Sequence, residues 1–405
     1  MLSPEFLIKA AQLFLSLSIL IILHELGHFI PAKLFGTRVE KFYLFFDVKY
    51  SLFKKKIGET IYGIGWLPLG GYVKISGMID ESFDKEQMSK PPQPWEFRSK
   101  PAWQRLIIML GGVTVNLILG FVIYMMVLFV WGKETLPQEN IPLGMQPSEI
   151  IQEIGFEKGD KIINVDGKEL DNVLEINRML LFRPIDYITV KKNSGLTSVI
   201  DIPNDIGNEI FQSGQINSFS PIFAAEIDSV IPDSPALESG LKSGDRILSV
   251  NNVIVEDWVS FSDWMDTNDD DTIELIIERN NLNYNLSVDR DSDGTIGVYP
   301  AFNISTINKS VGLVDSVVQG FNYGYWTLYE YVAGFQFIFT KKGAQQLGGF
   351  GTIGSIFPAK WDWKGFWLST ALLSIILAFM NVLPIPALDG GHVMFLFYEM
   401  ITGKK

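Results

Sequence analysis

The sequence predicts a multi-pass α-helical membrane protein with a re-entrant β-hairpin and two small α+β domains, and three observations predict it. Stretches at about 6–34, 104–132 and 365–400 are long and apolar enough to cross a bilayer. The stretch at about 58–76 mixes strand formers with Gly and Pro turn signals, yet stays apolar. A long acidic segment between the second and third spans repeats a short pattern at a constant offset of 85 residues.

Composition agrees with that division. The chain has 405 residues, room for two to four domains. Apolar residues make up 47% of it, while the net charge is −13, as expected of hydrophobic spans joined to acidic soluble parts. There is no cysteine, so disulfides and thiolate metal sites are excluded and nothing about the redox compartment can be read. The acidic balance and the lack of basic clusters argue against nucleic acid as a partner.

Residues 6–23 are interrupted only by Lys9, Gln12, Ser16 and Ser18, and they run into His24-Glu25-Leu26-Gly27-His28. A cleavable signal peptide is the competing reading; there is no basic leading region, and cleavage would discard or expose the motif. On a helix, positions i and i+4 share a face, so His24 and His28 can both offer imidazole nitrogens to one Zn²⁺, with Glu25 beside them as general base. Two unpartnered imidazoles and a carboxylate among Ile, Leu and Phe would be costly, and a metal removes that cost.

Between the first two spans, residues 33–105 hold 13 Lys/Arg and 8 Asp/Glu. Residues 132–310 hold 13 Lys/Arg and 31 Asp/Glu. Basic residues in short loops stay inside, so the first loop and the Lys404-Lys405 tail are expected inside and the long segment outside. Within the first loop, 61–75 is too apolar for an ordinary solvated loop. It is expected to re-enter the membrane beside the site, since non-helical backbone is tolerated there only against protein or a wet cavity. Residues 106–131 carry no charge and form the clearest span, with Gly111 and Gly112 permitting close helix approach.

The repeated pattern is Gly155-Phe156-Glu157-Lys158-Gly159-Asp160-Lys161-Ile162, matched by Gly240-Leu241-Lys242-Ser243-Gly244-Asp245-Arg246-Ile247. A turn feeding a strand in this way resembles PDZ domains, modules that add an extended peptide to a sheet edge. Two of them are expected, at 135–219 and 222–302, between membrane parts at 1–134 and 303–405. Residues 313–339 are aromatic and apolar but contain Asp315 and Glu330. If they spanned, Asp389 would emerge on the wrong side, so an interfacial helix is expected there.

A catalytic zinc takes three protein ligands and keeps one position open. Asp389, at the end of the third apolar stretch and at a depth matching His24, is the leading third ligand; His392, three residues on, is a rival.

These residues carry a family resemblance that covers nearly the whole chain. His24-Glu25-Leu26-Gly27-His28 in a first span, Asn381-Val382-Leu383-Pro384-Ile385-Pro386-Ala387-Leu388-Asp389-Gly390-Gly391-His392 in a later one, and tandem PDZ domains between them resemble the site-2 protease family, more narrowly its bacterial RseP-type members. The likeness implies an intramembrane zinc metalloprotease of the bacterial cytoplasmic (inner) membrane. His24, His28 and Asp389 would ligate zinc, and Glu25 would be the catalytic base. Asn381 would contact substrate backbone, and the hairpin, with Gly63, Gly65, Gly70 and Gly71, would be the family's re-entrant β element. Its substrates would be single-span membrane proteins, such as anti-sigma factors or remnant signal peptides, met within membrane lipid, with the PDZ pair gating access. Three features depart from the family pattern. Gly112-Val113-Thr114-Val115-Asn116 stands where Gly-Pro-x-x-Asn is usual, Phe45-Phe46-Asp47 where Gly-Phe-Gly is common, and a further helix found in many members after the Asp389 motif is not in the sequence. Two other classes stay in view: a catalytically dead scaffold that binds through its PDZ modules, and a membrane-anchored zincin that cleaves soluble substrates.

Overall fold

Ser3 opens the first helix. Its hydroxyl accepts the Phe6 N–H, Pro4 occupies the first turn, and α1 then runs unbroken over Pro4–Leu34. The computed structural model describes residues 3–68, 70–78, 91–302, 304–340, 342–343, 350–386 and 388–403. Leu69 of the expected hairpin, Ala387 of the later motif and the Lys404-Lys405 tail lie outside the described residues. The chain divides into two compact units, Met1–Lys133 with Ser310–Lys405, and Glu134–Lys309.

In the first unit α1 is followed by β1 (Val39–Leu44), β2 (Phe46–Ile57), β3 (Thr60–Leu67), β4 (Tyr72–Ile75) and α2 (Ala102–Trp131). After the second unit come α3 (Leu313–Phe335), α4 (Trp363–Val382) and α5 (Asp389–Thr402). Among the described residues, α1, α2 and α4 are the helices long and apolar enough to cross a membrane. Small residues set their spacing. A Cβ on Gly27 would strike the backbone of Gly111 and Gly112, so α1 and α2 touch main chain to main chain there. Helix α4 packs on the same helix further along, a Cβ on Gly120 meeting Ile375 at 2.8 Å.

The sheet corrects the expected hairpin. Its order is β2-β3-β1-β4. β3 runs parallel to β1, with Tyr43 opposite Gly63, and β4 runs antiparallel to the other edge of β1, with Tyr43 opposite Tyr72. Strands form within 58–76 as expected, but β1 lies between them. The hairpin is β2–β3, turning at Gly58 with φ of 60°. The reason is β1 itself: Val39-Glu40-Lys41-Phe42-Tyr43-Leu44 is a strand-forming run that occupies the centre and leaves β4 an edge.

The later helices add detail. The segment expected as interfacial forms α3, and α3 lies lengthwise against α2. Cβ atoms on Gly320 and Gly324 would meet Met125 and Phe121, and Tyr124 faces Tyr323 with ring centroids 4.7 Å apart. Matching Gly320 with Met125 and Gly324 with Phe121 makes the two helices antiparallel over at least a turn. The third span does not run to residue 400. Pro384 and Pro386 end α4, and α5 begins at Asp389. Gly390 lies so close to the Val382 and Leu383 carbonyls that a side chain would not fit.

In the second unit the two copies of the repeat fold alike. Arg246–Val250 pairs with Thr272–Arg279 as Lys161–Val165 pairs with Tyr187–Lys191. The repeated aspartates are both buried and charge-paired. Asp160 meets Lys192 at 2.9 Å, and Asp245 takes two bonds of 2.6 Å from Arg279. The second copy closes on a core of Ile227, Ile247, Val250, Phe261, Leu275 and Ile277.

Candidate metal centre

The H-E-x-x-H stretch lies wholly inside α1, so His24 and His28 are one turn apart and their rings meet edge to face at 4.8 Å. Their Nε2 atoms are 3.2 Å from each other. Oδ2 of Asp389 lies 3.3 Å from Nε2 of His24 and 3.4 Å from Nε2 of His28. Asp389 gets there because the proline break restarts the helix at that residue, which places its carboxylate at the head of α5 rather than along a continuous span.

Three donor atoms therefore converge from two helices in a mostly buried pocket. Oδ2 of Asp389 is buried and accepts no hydrogen bond from the protein. Two neutral imidazoles and a carboxylate suit a divalent metal such as zinc, and three protein ligands are the number a catalytic site uses. Of the two candidates for third ligand the geometry selects Asp389: the cluster among the described residues is His24, His28 and Asp389, without His392.

The ligands are held from outside. His28 Nδ1 is 2.8 Å from the carbonyl of Ile108, and His24 Nδ1 is 3.2 Å from the side-chain amide of Asn116. Between these two contacts a Cβ on Gly112 would strike His28 Nε2 and lie 2.6–2.7 Å from the His24 ring. Residues 108, 112 and 116 are spaced by four and form one stripe of α2. Sequence reasoning missed this stripe as support for the ligands, although a lone buried Asn in an uncharged apolar span was the signal that points to it.

Glu25 projects toward β4. Its Cγ would be 3.7 Å from a Cβ on Gly71. It is next to the ligands in sequence and outside the ligand cluster. Asn381 sits in the last turn of α4, half-buried, and its side chain has no hydrogen bond among the described residues.

The four glycines expected to meet substrate are packed closely against the chain's own atoms. A Cβ on Gly63 would enter the Tyr43 ring, on Gly65 the Phe45 and Phe46 backbone, on Gly70 the Phe46 ring, and on Gly71 the Ile21 side chain. They are small so that the sheet can close on itself and on α1. Phe45, which begins the stretch that departs from the family pattern, is the turn residue between β1 and β2 and holds a φ of 66° that glycine adopts more readily.

Comparison with known proteins gives a consistent result. Residues 12–405 match the family model described as Peptidase family M50. The chain is 27% identical to the regulator of sigma-E protease RseP of Escherichia coli K12 over 425 residues, which cover 98% of this chain and 92% of that one. It is 28% identical over 432 residues to protease RseP of Yersinia pestis, covering 97% and 91%. To the regulator of sigma E protease of Haemophilus influenzae it is 26% identical over 431 residues, covering 99% and 92%.

Proposed function

This chain belongs to peptidase family M50, and on that footing we propose that it is an intramembrane zinc metalloprotease cutting the transmembrane segments of single-span membrane proteins. The observation that carries the reading is the meeting of His24 Nε2, His28 Nε2 and Asp389 Oδ2 within a bundle of apolar helices. The protein sits in a bacterial inner membrane with α1, α2 and α4 crossing it. The basic 33–105 stretch faces the cytoplasm, and the acidic 134–309 unit lies on the outer side.

His24, His28 and Asp389 hold the metal. When bound, zinc supplies Lewis acidity and lowers the pKa of a coordinated water. Glu25 takes the proton of the attacking water and returns it to the departing amine. A transmembrane substrate must unwind before attack, because a helix ties up each carbonyl in its own ladder. In the sheet, β4 is the edge nearest Glu25, so it is the strand able to pair with the freed backbone. Asn381 offers a free amide for a further backbone contact. The two repeats act as PDZ domains that exclude clients whose outer parts have not been trimmed, such as intact anti-sigma factors, and admit short remnants.

The test is cleavage of a purified single-span substrate by the purified full chain in detergent. Cutting inside the transmembrane segment, abolished by chelation and restored by zinc, is expected. A chain that holds zinc yet leaves every single-span substrate intact overturns the reading.

A further inference from the structure

The stretch Gly112-Val113-Thr114-Val115-Asn116, which departs from the family pattern at Val113 and keeps its Gly and Asn, plays no part in the reading above, yet its last residue touches a ligand. Asn116 is 1% exposed in the middle of an uncharged apolar helix. Its main-chain carbonyl is occupied by Ser374 Oγ of α4 at 2.6 Å. Its side-chain amide is 3.2 Å from His24 Nδ1, and its Oδ1 is buried with no hydrogen-bond partner. A buried amide costs free energy unless it is bonded, and leucine would fill the same space without that cost. Packing alone does not account for an asparagine here.

We propose that Asn116 is a positioning residue for the metal centre, holding His24 in the tautomer and ring orientation that coordination requires. The proposal rests on the metal reading above. An imidazole that ligates through Nε2 carries its proton on Nδ1, and that N–H then needs an acceptor. For His28 the acceptor is the Ile108 carbonyl. For His24 it is Oδ1 of Asn116, brought onto Nδ1 by a half-turn of the amide that exchanges two atoms of nearly equal size. That turn uses the one atom of Asn116 that now lacks a partner. Along the stripe 108, 112, 116 of α2, a carbonyl thus supports one histidine and a side chain the other, and between them stands a glycine without which neither ring fits. The Ile108 contact is main chain and indifferent to sequence. The Asn116 contact is not, which makes it the mutable half of the outer support.

The experiment measures zinc affinity of the full chain in detergent by competition with a chromogenic chelator, and records the visible bands of the cobalt-substituted protein, which report ligand geometry. Asn116→Leu is expected to weaken zinc binding roughly 10- to 100-fold and to shift the cobalt bands. Asn116→Asp, which keeps an acceptor at the same place, is expected to bind within a few-fold of wild type and to restore the bands. Wild-type-like affinity in Asn116→Leu overturns the proposal, as does equal loss in both variants, since a purely structural role would not distinguish an acceptor from a methyl group. A wild-type chain that takes up no zinc overturns the metal reading and this proposal together, whereas tight wild-type binding unmoved by Asn116→Leu overturns this one alone.

Discussion

Arg105 and Glu399 form an ion pair of 2.5 Å between α2 and α5, with their side chains only 10% and 16% exposed. Arg105 donates a second N–H to the carbonyl of Lys100. Asp389 and Glu399 lie at opposite ends of one helix, so the pair fixes the far end of the element whose near end completes the metal cluster.

Removing one partner strands the other charge in a mostly buried place, a change that costs about 3–5 kcal/mol in comparable pairs. Glu399→Ala is therefore expected to lower the thermal midpoint of the purified chain and to reduce its retained zinc, although no ligand is touched. Metal analysis before and after dialysis checks this. Retention equal to wild type would show that the break at Pro384 and Pro386 alone holds Asp389 in place.

Ligand and base separate cleanly. His24→Ala, His28→Ala and Asp389→Ala each remove one of three donors, so each is expected to lose the metal at concentrations where wild type keeps it. Glu25→Gln removes a proton acceptor and no donor. It is expected to keep one zinc per chain and lose at least 100-fold in cleavage rate, roughly the scale of general-base catalysis. Zinc content and single-turnover cleavage of a single-span substrate are the two measurements. Near-wild-type cleavage by Glu25→Gln would remove Glu25 from its role.

Much of the site was legible because its signals are local. The i, i+4 spacing of His24 and His28, and an acidic residue after a proline-broken apolar run, are written in short stretches of chain. What stayed hidden depends on pairing between distant segments. Residues 39–44 and 46–57 are two-thirds charged or aromatic, and their strand character emerges only when β1 takes the centre of the sheet. The glycines of β3 read as candidate contacts for substrate, since nothing in the sequence says that Tyr43 and Phe46 fill the space beside them. The support that Asn116 gives depends on a partner 92 residues away.

Sheet order decides where a substrate strand can add. β3 is paired on both edges, so proline anywhere in Thr60–Leu67 breaks a ladder and is expected to damage folding rather than catalysis alone. β4 has one edge without a strand among the described residues. There, successive N–H groups alternate between β1 and the open edge, and proline at Val73 is expected to cut cleavage while leaving zinc in place. Proline at Tyr72 or Lys74 is expected to reduce expression and metal content together. Equal effects at all three positions would show that β4 offers no outward edge.

In the second unit an ion pair joins the two repeats. Lys158 Nζ of the first copy lies 2.6 Å from Oδ2 of Asp257 in the second, and Asp257 is 2% exposed. The same carboxylate caps the helix Trp258–Thr267 by accepting the Ser260 N–H at 2.8 Å. Burial pushes the Asp257 carboxyl up, but the hydrogen bonds from Lys158 and Ser260 outweigh it and hold the group below the ordinary aspartate value. A folded-state pKa below the unfolded one, about 3.9, means that the contact stabilises fully above that value and is lost as pH falls through the lower folded value. The pair is thus expected to be constant between pH 5 and 8, roughly, and to weaken only in stronger acid. Lys158→Gln removes the charge but leaves the cap. It should lower the stability of the chain at neutral pH and flatten the loss seen as the pH falls below about 4. Asp257→Ala removes both, and should cost about 1 kcal/mol more than Lys158→Gln, the usual worth of a helix cap. Urea titrations of wild type and both variants at pH 7 and pH 3 measure each difference. If Lys158→Gln and wild type lose stability in parallel as the pH is lowered, the ion pair contributes nothing, and the cap alone accounts for Asp257.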